Sequence, residues 1–183
     1  MRIVGGDFRG RALATPTGAA IRPTSDRLRQ TIFDILAHAY GDPVTGARVL
    51  DLFAGTGALA IEALSRGATS ALFVDDGIEA RGLIRRNVET FGLTGKTRIF
   101  RRDATSLGPA GTVAPFTLAF TDPPYRQGLG EKALTSAVAG NWLTPGALVV
   151  LEEAAGIEIA PVPGLTVLET RTVGDSEVIF LRS

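Results

Sequence analysis

The chain has no cysteine, one histidine, one methionine, one tryptophan and no net charge. Without cysteine there are no disulfides, and thiolate-ligated zinc or iron–sulfur centres are excluded. With His38 alone, neither a histidine-built metal site nor a Ser-His-Asp triad is expected, and no metal is expected. His38 itself reads as a side chain of the first helix. No apolar run reaches the roughly 18 residues of a membrane span. Met1-Arg2-Ile3-Val4 leads into Gly5-Gly6 and charge, unlike a signal peptide. The expected location is cytoplasmic, with no membrane partner.

The balance of nineteen bases and nineteen acids hides an uneven distribution. Residues 1–30 carry six arginines (Arg2, Arg9, Arg11, Arg22, Arg27, Arg29) against Asp7 and Asp26. The remainder has thirteen bases and seventeen acids. A basic, glycine-broken opening on an otherwise acidic chain suggests that this segment meets an anion.

The opening Met1–Leu13 reads as a small hairpin or added arm, and residues 15–20 as loop. Arg22-Pro23 forces an extended approach to a helix capped by Thr24 or Ser25, with Asp26 in its first turn. Leu28, Ile32, Ile35 and Leu36 follow at helical spacing, and Gly41-Asp42-Pro43 stops the run. From Arg48 onward strands and helices alternate. Strands are expected at 49–53, 70–74, 97–100, 116–121 and 147–152, with helices at 58–65, 78–91 and about 130–139. That alternation predicts a parallel sheet covered on both faces. Two final strands flank Gly174-Asp175, a hairpin turn, so an antiparallel pair completes the sheet. At 183 residues this is one domain.

Ligands of such a sheet bind beyond the carboxyl ends of its strands. The first strand delivers Asp51 and the turn Phe53-Ala54-Gly55-Thr56-Gly57. The glycines let a cofactor approach bare backbone. Pyrophosphate at this place would meet the like charge of Asp51, so a cofactor carrying positive charge, S-adenosylmethionine, is favoured. Asp51 then faces its ammonium. Asp75, at the end of the second strand, has the spacing of a carboxylate that grips ribose. Asp103-Ala104, after the third, can receive an adenine amine. Asp122-Pro123-Pro124-Tyr125 ends the fourth strand and is the most specific element. An exocyclic base amine is a poor nucleophile, because its lone pair is delocalised into the ring. The Asp122 carboxylate and the Pro123 carbonyl can draw on its two N–H bonds and aim the lone pair at a methyl group. Two prolines stiffen the backbone, and Tyr125 offers a face on which an unstacked base can lie.

The chain resembles the bacterial ribosomal RNA guanine-N2 methyltransferases of the RsmD type, nearly end to end. The resemblance rests on Arg2-Ile3-Val4-Gly5-Gly6, Arg9-Gly10-Arg11, Arg22-Pro23-Thr24-Ser25-Asp26-Arg27-Leu28-Arg29, the Asp51–Ala58 run, Asp122-Pro123-Pro124-Tyr125 and Gly174-Asp175. It departs from the family at Asp75 and Gln30, where glutamate is common, and at Gly77, where an acid is. The resemblance implies an α/β, Rossmann-like class I methyltransferase fold. Its seven-stranded sheet is mostly parallel, with a C-terminal antiparallel hairpin and a small N-terminal β-hairpin extension. It implies residues 1–22 as a basic arm for RNA and 23–183 as the methyltransferase unit. It implies the N2 amine of a guanine in 16S rRNA, of the guanine-966 type, modified by a monomer during small-subunit assembly. It also places Arg22, Thr24 and Arg27 by the methionine end of the cofactor, and Arg9 and Arg11 at phosphates. Arg22, Arg27 and Arg29 join that basic set as RNA-binding candidates. Rival readings are a DNA adenine-N6 methyltransferase and a non-catalytic RNA-binding protein that kept the fold.

Overall fold

Apolar runs alternating with glycine-ended helical stretches build a seven-stranded sheet in this computed structural model, which describes residues 1–19, 21 and 23–183. The elements run α1 (Asp26–Ala39), β1 (Arg48–Leu52), α2 (Ala58–Ser65), β2 (Ser70–Val74), α3 (Ile78–Thr90) and β3 (Thr97–Phe100). They continue with β4 (Phe116–Thr121), α4 (Leu129–Ala139), β5 (Leu143–Ala154), β6 (Thr166–Val173) and β7 (Ser176–Arg182). Strand order is β3-β2-β1-β4-β5-β7-β6. The first five strands pair in parallel, and β7 is antiparallel to both β5 and β6.

Because β1 and β4 lie centrally with helices on both faces, they are apolar on both sides. Val49 to Leu52 are all buried. One core packs α1, α2, α3 and the amino-terminal segment against the first face. The other packs α4 and Trp142 against the second. Phe33 lies 5.6 Å from Phe120, and Tyr40 stacks at 5.1 Å on Phe180, which seats α1 across β4 and β7.

Every residue of α2 is buried. A helix of that kind needs cover all round, and the amino-terminal hairpin supplies it. Arg2 bridges Ala12, and Ile3 N donates to Arg11 O at 3.0 Å. The hairpin belongs to the core as much as to the surface, since Ile3 and Leu13 are 1% and 5% exposed. Gly6 has φ +74°, and a Cβ there would sit 1.9 Å from Ser65 O, so only glycine permits this approach.

The fastening is polar. Glu62 of α2, fully buried, accepts from Val4 N at 3.0 Å and Gly5 N at 2.8 Å. It also pairs with Arg66 at 3.0 Å and with the buried Arg29 of α1 at 3.6 Å. A charge left alone there has no water to turn to. Glu62→Ala should therefore lower stability by about 3–5 kcal/mol, read as a reduced denaturation midpoint. Arg171→Ala, which breaks the exposed 2.8 Å pair with Glu169, should cost less than about 1 kcal/mol.

Candidate active site

Sheet order reverses between β1 and β4, and there the strand ends open a cleft of about 780 Å³. Its floor is the glycine turn after β1. Gly57 has φ +80° and stands as α2's N-cap without a side chain to offer. A Cβ on it would come within 3.0 Å of the Phe73 ring. Asp51 supplies the missing cap from the strand: its Oδ2 accepts from Ala60 N at 3.3 Å. Phe53 adopts φ +57°, a strained setting for a non-glycine residue.

Asp75 holds the turn from the neighbouring strand. Its Oδ2 accepts from Gly55 N at 3.0 Å and its Oδ1 from Gly77 N at 2.8 Å. Each oxygen keeps capacity for a further hydrogen bond, and Asp75 lines the cleft. Ile78, next along, is 82% exposed at the cleft wall. Its open side chain gives that wall an apolar surface.

Asp122 follows β4 on the opposite wall. Thr24 Oγ1 donates to its Oδ2 at 2.8 Å. Ser25 caps α1 through Leu28 N at 3.1 Å, which fixes Thr24 just outside the helix. Burial holds the Asp122 carboxyl well above the usual carboxylate range, and the charge of Glu152 adds to the effect. Asp51 is raised in the same direction by burial and by Asp75. Pro123 is buried, and Tyr125 lines the cleft with its hydroxyl tied to Glu152 and, at 2.8 Å, to Ser176. Burial and the Glu152 bond push the phenol's titration up, against a smaller opposing effect of the Ser176 bond.

The structure thus brings together Thr24, Arg27, Asp51, Phe53, Ala54, Gly55 and Asp75 with Asp122, Pro123 and Tyr125. Gly57 underlies the turn. Asp103 and Ala104 are not in the lining. Asp103, read as a receiver of an adenine amine, caps its own turn through Thr105 N and Oγ1, at 2.8 and 2.7 Å. Those bonds lower its carboxyl's titration. Ala104 points into the second core.

The arginines separate. Arg29, placed by sequence among the RNA contacts, is corrected: it is 0% exposed, and its guanidinium serves Thr24 O, Arg2 O, Asp26 and Glu62. Arg9, Arg11 and Arg27 are exposed. Arg11 lies 4.4 Å over the Phe91 ring and donates to Thr90 O. Arg22 falls outside the described residues. Sequence reasoning missed Glu152 and Ser176. The signal was available for Glu152, since it ends the expected fifth strand just as Asp51, Asp75 and Asp122 follow theirs.

The whole chain, residues 1–182, matches the family described as "Conserved hypothetical protein 95". It is 37% identical over 164 residues to ribosomal RNA small subunit methyltransferase D of Escherichia coli, covering 89% of this chain and 79% of that protein. It superposes on the solved "Putative methyltransferase yhhF" of Escherichia coli with TM-score 0.82 and 32% identity. That match covers 100% of this chain and 97% of the other. A hypothetical protein from Thermus thermophilus gives TM-score 0.76 at 32% identity, covering 98% of each chain.

The carboxyls of Asp51 and Asp122 titrate above their unfolded values, so what they contribute to stability is present at low pH. It is lost as pH rises through the raised range. Asp51→Asn keeps an acceptor for Ala60 N without the buried charge. It should stabilise the ligand-free protein at neutral pH by about 0.5–2 kcal/mol, with a flatter dependence of melting temperature on pH. A variant less stable than wild type at neutral pH would contradict this account of Asp51.

Proposed function

This chain belongs to the family of ribosomal RNA small-subunit methyltransferases described as "Conserved hypothetical protein 95". From that premise we propose that it moves a methyl group from S-adenosylmethionine to the exocyclic N2 amine of a guanine in 16S rRNA, of the guanine-966 type. One observation carries the reading. Asp51, Asp75, Asp122 and Glu152 converge on one cleft beside a bare glycine turn, and Arg27 is the cation among the described residues that line it. Carboxyls gathered without basic partners, Asp51 and Glu152 buried among them, suit a ligand that brings positive charge.

S-adenosylmethionine supplies a methyl carbon activated by a cationic sulfur. The residues do the rest. Asp51 faces the ammonium of the methionine end, Asp75 takes ribose hydroxyls, and Ile78 covers the adenine. Asp122 and the Pro123 carbonyl accept from the two N–H bonds of the guanine amine, which turns its lone pair toward the methyl. Tyr125 stacks on the base. The amine is useless while the base is stacked or paired, so the nucleotide leaves its helix first.

Residues 1–22 act as the arm that engages RNA, with Arg9, Arg11, Arg22 and Arg27 on phosphates, and residues 23–183 act as the catalytic unit. The protein works as a cytoplasmic monomer, and its substrate is rRNA within an assembling small-subunit particle. The DNA adenine reading is disfavoured by the relative, which is a ribosomal RNA enzyme. The binding-module reading is disfavoured by the intact Asp122–Tyr125 geometry.

Incubation with labelled S-adenosylmethionine and small-subunit particles, 16S rRNA or duplex DNA should label the RNA substrates, particles best. Nucleoside mass spectrometry should then report N2-methylguanosine. Asp122→Ala should bind the cofactor normally and lose roughly 10²- to 10³-fold in turnover. Asp75→Ala should weaken cofactor binding about ten- to a hundredfold in calorimetry. Label in duplex DNA alone, or wild-type turnover by Asp122→Ala, would overturn the proposal.

A further inference from the structure

Of the cleft carboxyls that the scheme above does not use, Glu152 is the buried one, while Asp76, Glu79 and Asp175 are exposed. Thr121 of β4 pairs with Leu151 of β5, so Asp122 and Glu152 follow side by side on neighbouring strands. Glu152 is 5% exposed. Its Oε1 accepts from Ser176 Oγ at 3.0 Å and from the Tyr125 hydroxyl. Its Oε2 is buried and, among the described residues, has no hydrogen-bond donor. The β4–β5 register sets Asp122 beside Glu152, and both line the same cleft. No described base forms an ion pair with either acid. The charged groups lining the cleft around them are Asp51, Asp75, Asp76, Glu79, Asp175 and Arg27. Two adjoining acids in such a place do not both ionise.

We infer that Glu152 is the positioning residue that sets the charge of Asp122. The two carboxyls share one proton in the free protein, release it when a cationic methyl donor binds, and take one back from the amine as the methyl moves. The inference rests on the methyl-transfer reading. Charge and atoms balance. The N2 lone pair forms the new N–C bond as the S–C bond breaks, and that bond's electron pair stays on sulfur. The nitrogen sheds one proton, which Asp122 accepts and Glu152 shares. One positive charge leaves the sulfur as one arrives on the acid pair, so the net charge within the cleft is unchanged. Asp122 is therefore an ionised acceptor only when there is a methyl to transfer. The upward displacement of the Asp122 carboxyl agrees with this arrangement.

Calorimetry of S-adenosylmethionine binding in buffers of different ionisation enthalpy counts the protons released. Wild-type protein should release about one more proton than Glu152→Gln at the same pH, because the amide removes the second acid. S-adenosylhomocysteine, with neutral sulfur, should release fewer than S-adenosylmethionine. The glutamine still accepts from Tyr125 and Ser176, and the acid limb of its kcat/KM profile should move down by about one pH unit. Ser176→Ala removes a donor to the Glu152 charge, holds the shared proton more tightly and should move the same limb up. A purely structural Glu152 predicts lower stability or rate with the same proton count and the same limb, and that result overturns the proposal. If Glu152→Gln does not fold, Ser176→Ala decides alone, and an unmoved limb sinks the idea. Wild-type protein that neither binds the donor nor methylates RNA would instead remove the methyl-transfer reading beneath it.

Discussion

The buried contact between Glu62 and Arg29 is the constraint on which both the architecture and the cleft depend. Glu62 gathers the amino-terminal hairpin by two backbone N–H groups and gathers α1 through Arg29. Arg29 in turn donates to Thr24 O at 3.2 Å, and Thr24 presents its hydroxyl to Asp122. A path of three polar contacts thus runs from the middle of α2 to the catalytic candidate. Such a pair is a poor source of stability compared with apolar packing, because both charges must be stripped of water. Its value lies in registry. A hydrophobic substitute would fill the space equally well but would not specify where Thr24 stands.

The cleft follows the opposite rule. There, carboxyls are assembled without bases to neutralise them, and their raised titration measures how unfavourable that is. Phe53 adds backbone strain at the same turn. Strain and like charge concentrated at one place, within an otherwise well-satisfied core, are expected where structure is sacrificed for binding. On the proposed reading a cationic ligand offsets the repulsion, so affinity for it is built into the protein before it arrives. The same acids oppose nucleotide phosphates, which gives selectivity without any further contact.

Most of the architecture is legible from periodicity and glycine placement. The strands at 70–74, 97–100 and 116–121 and the helix at 58–65 have the expected bounds. β5 is longer than its apolar run, because Pro145-Gly146 look like breakers. In the sheet Leu143 still pairs with Phe116, and a register shift absorbs the interruption. What local pattern cannot supply is the partner of a charge. Arg29 sits in a basic cluster and reads as surface; its burial depends on Glu62, far along the chain and itself an unexceptional acid in an apolar helix. Asp103 has the strand-end position of its fellows, and Thr105, two residues on, takes up its Oδ1. That Asp51, Asp75 and Asp122 line one cleft is legible because strand ends converge by topology, whatever the details of packing.

The same reasoning links the arm to the chemistry. Asn87 of α3, buried, accepts from Ala14 N at 2.7 Å and donates to Thr56 O at 2.9 Å, so the end of the hairpin is pinned to the glycine turn. The start of the hairpin is pinned to Glu62, and Arg2 O to Arg29. Arg9 and Arg11 therefore stand at fixed offsets from Asp51 and Asp122. On the proposed reading, phosphates held by those arginines set how far the target amine lies from the methyl. Binding energy gathered at the arm is then spent on alignment at the cleft. An arm on a flexible tether would raise affinity without that gain. On that reading the polar fastening of the hairpin serves catalysis as well as the fold.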